Sequence, residues 1–166
     1  RTTPSGEKPF FSALRHYLDG FHQNYGIGVE ISICPSVSED IFTRDTQMQL
    51  FRIIQEALSN ARKHAATNHV SVTFGMEDDQ VRMRVRDNGK GFDPLKVAGA
   101  GGSHFGLSIM RERAENLGGK LQVQSAPGEG TCVDVEVPVN REMVIKGHGE
   151  REHRDSVTGR KDAAYE

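Results

Sequence analysis

The sequence predicts a two-layer α/β sandwich (α+β), a mixed sheet of about five strands covered on one face by about three helices. Three observations point to it. Apolar residues recur at helical spacing in three segments and alternate with period two in five others. The order is helix, strand, helix, strand, strand, loop, helix, strand, strand, a mixture that suggests two layers. At 166 residues the chain suits one domain with a proper core.

Phe10, Leu14, Tyr17, Leu18 and Phe21 define a first helix from Pro9 to about Tyr25, closed by Gly26. Val29, Ile31 and Ile33 alternate as a short strand ended by Pro35. From Arg44 to Ala66, Leu50, Ile53, Ile54, Ala57, Leu58 and Ala61 follow the amphipathic helical pattern closely. Val70, Val72 and Phe74, then Val81, Met83 and Val85, form a hairpin turning at Glu77-Asp78-Asp79. Residues 88–103 are glycine-rich and read as a long loop. Leu107 to Leu117 is helical and stops at Gly118-Gly119. A second hairpin pairs Leu121 and Val123 with Val133, Val135 and Val137 through Pro127-Gly128-Glu129-Gly130. Residues 1–8 read as a linker, 9–139 as the domain, and 140–166 as a charged, disordered tail.

Composition excludes several classes. The net charge is −2, which gives no argument for nucleic-acid binding or membrane adsorption. No stretch approaches the roughly 20 apolar residues of a bilayer span. Cys34 and Cys132 form no CxxC pair, suit a reducing compartment and read as small apolar residues.

The chemistry is expected at four places. In "RDNGKGFDP", Asp87 shares a face with Val81, Met83 and Val85 and so points inward. A buried carboxylate needs donors, which backbone amides of the next turn or a ligand could supply. On the second helix, at about 100° per residue, Glu56, Asn60, Lys63 and His64 form a stripe at the edge of the apolar face. Such a stripe could serve a phosphorylated ligand and its metal, or be an ordinary polar flank. "GAGGSHFGLSIM" brings glycines to a helix start, where anions bind, yet matches neither a P-loop nor a dinucleotide turn. "PGEGT" leads Thr131 into a strand.

In this order the pieces resemble the catalytic and ATP-binding domain of sensor histidine kinases, in the GHKL or Bergerat-fold ATPase superfamily. "FRIIQEALSNARKHA" is similar to its N box, "DNGKGF" to the first glycine box, "GSHFGLSIMRERAENLGG" to the second and "GEGT" to the last turn. The form of the N box, the short lid and "MRERAENLGG" resemble the subfamily that includes nitrate/nitrite sensors. The resemblance implies ATP and Mg²⁺ as cofactors. It implies Asp87 on the adenine amine, Gly89 and Gly91 close to the nucleotide, and Asn60 on the metal. It also implies Lys63 and His64 on the phosphate side and Glu56 as the catalytic residue polarising the attacking group. Phe105, Gly106 and Leu107 fall at the lid and the helix beneath the phosphates, residues 93–105 being the lid, and Thr131 lies near the adenine.

Such kinases phosphorylate a histidine that, in this subfamily, an acid follows directly. None of the seven histidines here precedes Asp or Glu. The resemblance therefore implies a phosphoacceptor on a separate dimerisation domain and a response regulator downstream. The parent is then expected to be a homodimer, this fragment a monomer, and its location cytoplasmic. Two alternatives stand beside this reading: a serine kinase of the anti-sigma-factor type, and a nucleotide-responsive interaction module that transfers no phosphate.

Overall fold

The computed structural model describes residues 8–97 and 104–139; the expected linker, the charged tail and the middle of the lid lie outside them, apart from Lys8. Helix α1 runs Phe10–Tyr25 and ends on Gly26, whose left-handed φ of 67° lets its N–H bond the His22 carbonyl at 2.8 Å. Strand β1, Gly28–Ile33, follows, then a 3₁₀ turn at Glu39–Ile41. Helix α2 spans Arg44–Asn60. The Thr43 hydroxyl caps it, accepting from the Thr46 N–H at 3.1 Å.

The expected helix of residues 44–66 is not uniform. Its last turn, Ala61–Ala65, is π-helical and closes on Ala66 at φ 49°. Strands β2, His69–Glu77, and β3, Gln80–Asp87, form the first hairpin. Asp78 and Asp79 both take positive φ, as a two-residue type I′ turn demands. The glycine-rich segment is not all loop either. A short helix α3, Pro94–Val97, interrupts it, and α4 begins at His104, three residues before the expected start, and runs to Asn116. Strands β4, Lys120–Ser125, and β5, Thr131–Pro138, complete the chain.

The five strands lie in the order β1-β2-β3-β5-β4. Only β1 and β2 are parallel; the connection between them is the crossover a parallel pair requires, and it carries α2. Period-two alternation sends one face of every strand to the helices. Leu14, Leu50, Ile54, Val72, Met83 and Met110 are fully buried between the layers. The other sheet face is polar. There Asp134, nearly buried, accepts from Arg82 Nε at 3.0 Å and Arg84 Nε at 2.9 Å, and Arg82 also reaches Glu77 and Glu136.

This topology collects the functional segments at one end of the sheet. Asp87 ends β3 opposite Thr131 at the start of β5, and Thr131 faces Ser125 at the end of β4. Residues 66–68 join α2 to β2, so the last turn of α2 stands over the same end.

Candidate functional site

A cavity of about 240 Å³ opens between the end of α2 and this end of the sheet. Its floor follows from residue size. Along α2 the buried stripe changes from Leu50, Ile53, Ile54 and Leu58 to Ala57, Ala61 and Ala65. The three alanines, one turn apart, withdraw side-chain volume and leave a gap that Val70, Val85, Val133 and Leu107 line from the other sides.

Asp87 forms the polar end of the cavity and is only 7% exposed. Its Oδ1 accepts the Gly89 N–H at 2.9 Å, so the turn amide does satisfy half of the carboxylate. Among the described residues no donor is in hydrogen-bond reach of Oδ2. A buried acceptor without a partner costs about 1–3 kcal/mol, which a ligand donor would return. Thr131, the cross-strand neighbour of Asp87, lines the same wall.

The mouth is cationic and polar. Asn60, Lys63, His64 and Lys90 line it, the three basic residues being exposed and Asn60 half-buried. The π-helical turn carries two of them. Such turns are frequent at functional sites because i→i+5 bonding widens the helix end and re-aims its side chains. Arg62 in the same turn points elsewhere, its guanidinium 4.7 Å from the centre of the Tyr25 ring.

Backbone contacts hold the walls together. The Ala65 carbonyl, left without a helical partner, accepts the Lys90 N–H at 2.7 Å. A Cβ on Gly89 would collide with that same carbonyl oxygen. Gly91 takes φ 61° between the Ala126 and Gly130 carbonyls, and Lys90 O accepts from Gly128 at 2.7 Å. Both glycines thus answer close chain packing as well as any ligand, and Gly91 alone of the two lines the cavity.

Of the residues singled out in the sequence, Asn60, Lys63, His64, Asp87, Gly91, Leu107 and Thr131 meet at the cavity. Glu56, one turn before Asn60, sits behind the wall against Gly106, where a Cβ would strike its Oε1. Phe105 falls in the first turn of α4, but its side chain lies outside the described residues. Lys90, Phe92 and the alanine floor were not singled out. Lys90 stood inside the quoted "DNGKGF", and the Ala57-Ala61-Ala65 spacing was the available signal for the floor.

These features fit a planar, amine-bearing ring in the cavity and a polyphosphate at its mouth. Among the described residues no group of three or more His, Cys, Asp or Glu could hold a metal ion. A hard cation would therefore come bound largely by phosphate and water, with the Asn60 amide oxygen as protein ligand.

Residues 45–141 match the family model for "Histidine kinase-, DNA gyrase B-, and HSP90-like ATPase". Sensor histidine kinase LiaS of Bacillus subtilis is 38% identical over 139 residues, 84% of this chain and 36% of its own length. The signal transduction histidine-protein kinase/phosphatase DegS of Brevibacillus brevis is 35% identical over 130 residues, 78% of this chain and 32% of its own. The chain thus spans about a third of the length of these relatives. Among solved structures, the fold matches full-length ShkA in complex with AMPPNP at TM-score 0.64 and 22% identity, covering 78% of this chain and 29% of that one. It also matches the histidine kinase domain of the Erythrobacter litoralis EL346 blue-light activated histidine kinase at TM-score 0.62 and 21% identity, over 87% and 69% of the two chains. The chain belongs to the histidine kinase-, DNA gyrase B- and HSP90-like ATPase family.

Proposed function

We propose that this chain is the ATP-binding catalytic module of a sensor histidine kinase, passing the γ-phosphoryl of Mg-ATP to a histidine on a separate dimerisation domain. The observation that carries this reading is the Asp87 carboxylate, buried with one oxygen lacking a donor among the described residues, at an apolar cavity whose mouth holds Asn60, Lys63 and His64. Asp87 reads the adenine amine, with Thr131 beside it. Asn60 ligates the metal, and Lys63 and His64 neutralise phosphate charge. Gly91 and Leu107 shape the walls, Gly89 locks the loop to α2, and Phe105 and Gly106 belong to the lid and the helix start beneath the phosphates. Glu56 polarises the attacking imidazole. The nucleotide supplies a phosphoryl group ready for in-line transfer, and the protein contributes positioning and charge neutralisation.

The relatives named LiaS and DegS support this reading. The leaning towards nitrate/nitrite sensors rests on the form of the N box, the short lid and "MRERAENLGG". The partners are a dimerising phosphoacceptor domain and a response regulator, the parent acts as a homodimer, and the module itself is monomeric. It works in the cytoplasm, where ATP is; among the described residues no helix is long and apolar enough to cross a membrane.

Phosphotransfer in trans tests this. The chain is incubated with [γ-³²P]ATP and the helical phosphoacceptor domain of LiaS. The expected result is acid-labile label on that domain, lost in Glu56→Gln while nucleotide affinity is kept. Label on serine, or none from a chain that binds ATP, would contradict it.

A further inference from the structure

Ser125 is a residue to which nothing above assigns a role. Its hydroxyl sits at the junction of three segments: 2.9 Å from the Phe92 N–H, 2.9 Å from the Gly130 carbonyl oxygen and 2.9 Å from Thr131 Oγ1. Proton counting fixes the directions. A serine hydroxyl has one proton and two lone pairs. Phe92 N–H can only donate, so it takes one lone pair. The Gly130 carbonyl can only accept, so it takes the proton. The second lone pair is all that remains for Thr131, whose own proton must therefore point at Ser125. Any other assignment leaves one of the three contacts unmade.

The consequence falls on the cavity. With its proton held by Ser125, the Thr131 oxygen has only lone pairs to offer. Thr131 and Asp87 are directly opposite on adjacent strands, with Cβ atoms about 4.5–5.5 Å apart in such a pair, and both line the cavity. Asp87 Oδ2 is also an acceptor without a donor among the described residues. Among the described residues, Asp87 and Thr131 thus give the polar end of the pocket a pair of acceptors.

Resting on the nucleotide reading above, we infer that Ser125 is a specificity-determining residue: by fixing the Thr131 hydroxyl as an acceptor, it makes the pocket select a 6-aminopurine over a 6-oxopurine. An exocyclic amine brings two N–H donors to this pair. A 6-oxo group brings only lone pairs, facing acceptors that cannot turn round. Discrimination of this polar kind is strong because the mismatched groups are left buried and unpaired.

The test is calorimetric titration of ADP and inosine diphosphate, which share ribose and phosphates and differ only in the six-membered ring, into wild type, Ser125→Ala and Ser125→Thr. Wild type is expected to prefer ADP by about a hundredfold or more. In Ser125→Ala the Thr131 proton is released to turn towards the cavity, and the ADP preference falls roughly tenfold. Ser125→Thr, which keeps the hydroxyl, restores it. If Ser125→Ala weakens both nucleotides alike and leaves their ratio unchanged, the residue is only structural and the inference fails. Should Ser125→Ala not fold, Thr131→Val carries the same test and must weaken ADP more than inosine diphosphate; an unchanged ratio overturns the inference. Wild type that folds yet binds neither nucleotide overturns the nucleotide reading itself, and the inference with it.

Discussion

Asp87 holds two jobs in one carboxylate. Oδ1 closes the turn by accepting from Gly89, and the same side chain lines the cavity. The sequence alone presented these as rival explanations, a turn amide or a ligand, whereas the geometry makes room for both. Gly89 is the residue most sensitive to change: Gly89→Ala sets a methyl against the Ala65 carbonyl, a backbone atom that cannot swing aside. It should lower unfolding free energy by about 1–3 kcal/mol in urea titration and loosen the loop over the cavity. The cysteines are a second case at this scale. Cys34 is exposed rather than tucked away as a small apolar residue, and hydrogen bonds from Ser36 lower its thiol pKa. Burial, then the Asp134 charge, raises that of Cys132. A lower pKa means more thiolate at a given pH, so near pH 7.5 iodoacetamide should label Cys34 in the folded protein well before Cys132, as peptide mass spectrometry would show.

Helix α2 was legible as an element and misread in its last turn. Its apolar stripe is plain in the sequence, whereas the Thr43 cap was not singled out there; Thr43→Ala should cost about 1 kcal/mol in denaturant unfolding while leaving nucleotide affinity unchanged. The π-helical turn at Ala61–Ala65 has no sequence signature, because tertiary contacts decide it: the Ala65 carbonyl is drawn to the Lys90 amide across the site. The alanine floor could have been read, since a stripe that turns from Leu and Ile to Ala announces missing volume. Ala61→Leu should fill that volume and reduce nucleotide affinity at least about tenfold, with a stability change within the roughly 1–3 kcal/mol of an overpacked core. The lid was the least legible element. Glycines hide periodicity, so α3 and the early start of α4 at His104 were both missed.

For the whole molecule, alternation and helical spacing sufficed to recover five strands, three main helices and their layering. Strand order was not legible, because β5 reaches β3 only by passing between it and β4, a long-range pairing no local pattern encodes. That insertion is what sets Asp87, Thr131 and Ser125 side by side from three strands. The polar face of the sheet was equally unannounced. Arg82, on β3, there ties Asp134 and Glu136 of β5 to Glu77 of β2, and Arg82→Ala should lower the urea midpoint with the slope unchanged.

Everything proposed about this chain turns on whether the cavity holds an adenine nucleotide read by Asp87. The most direct measurement is calorimetric titration of Mg-ADP and Mg-AMPPNP into wild type and Asp87→Asn. Asparagine retains an oxygen for the Gly89 amide, so the turn survives, but it can place an NH₂ donor where the free acceptor was. Binding by wild type, weakened at least about tenfold in the variant, is the predicted result. Equal binding by both, or none by a folded wild type, would contradict it.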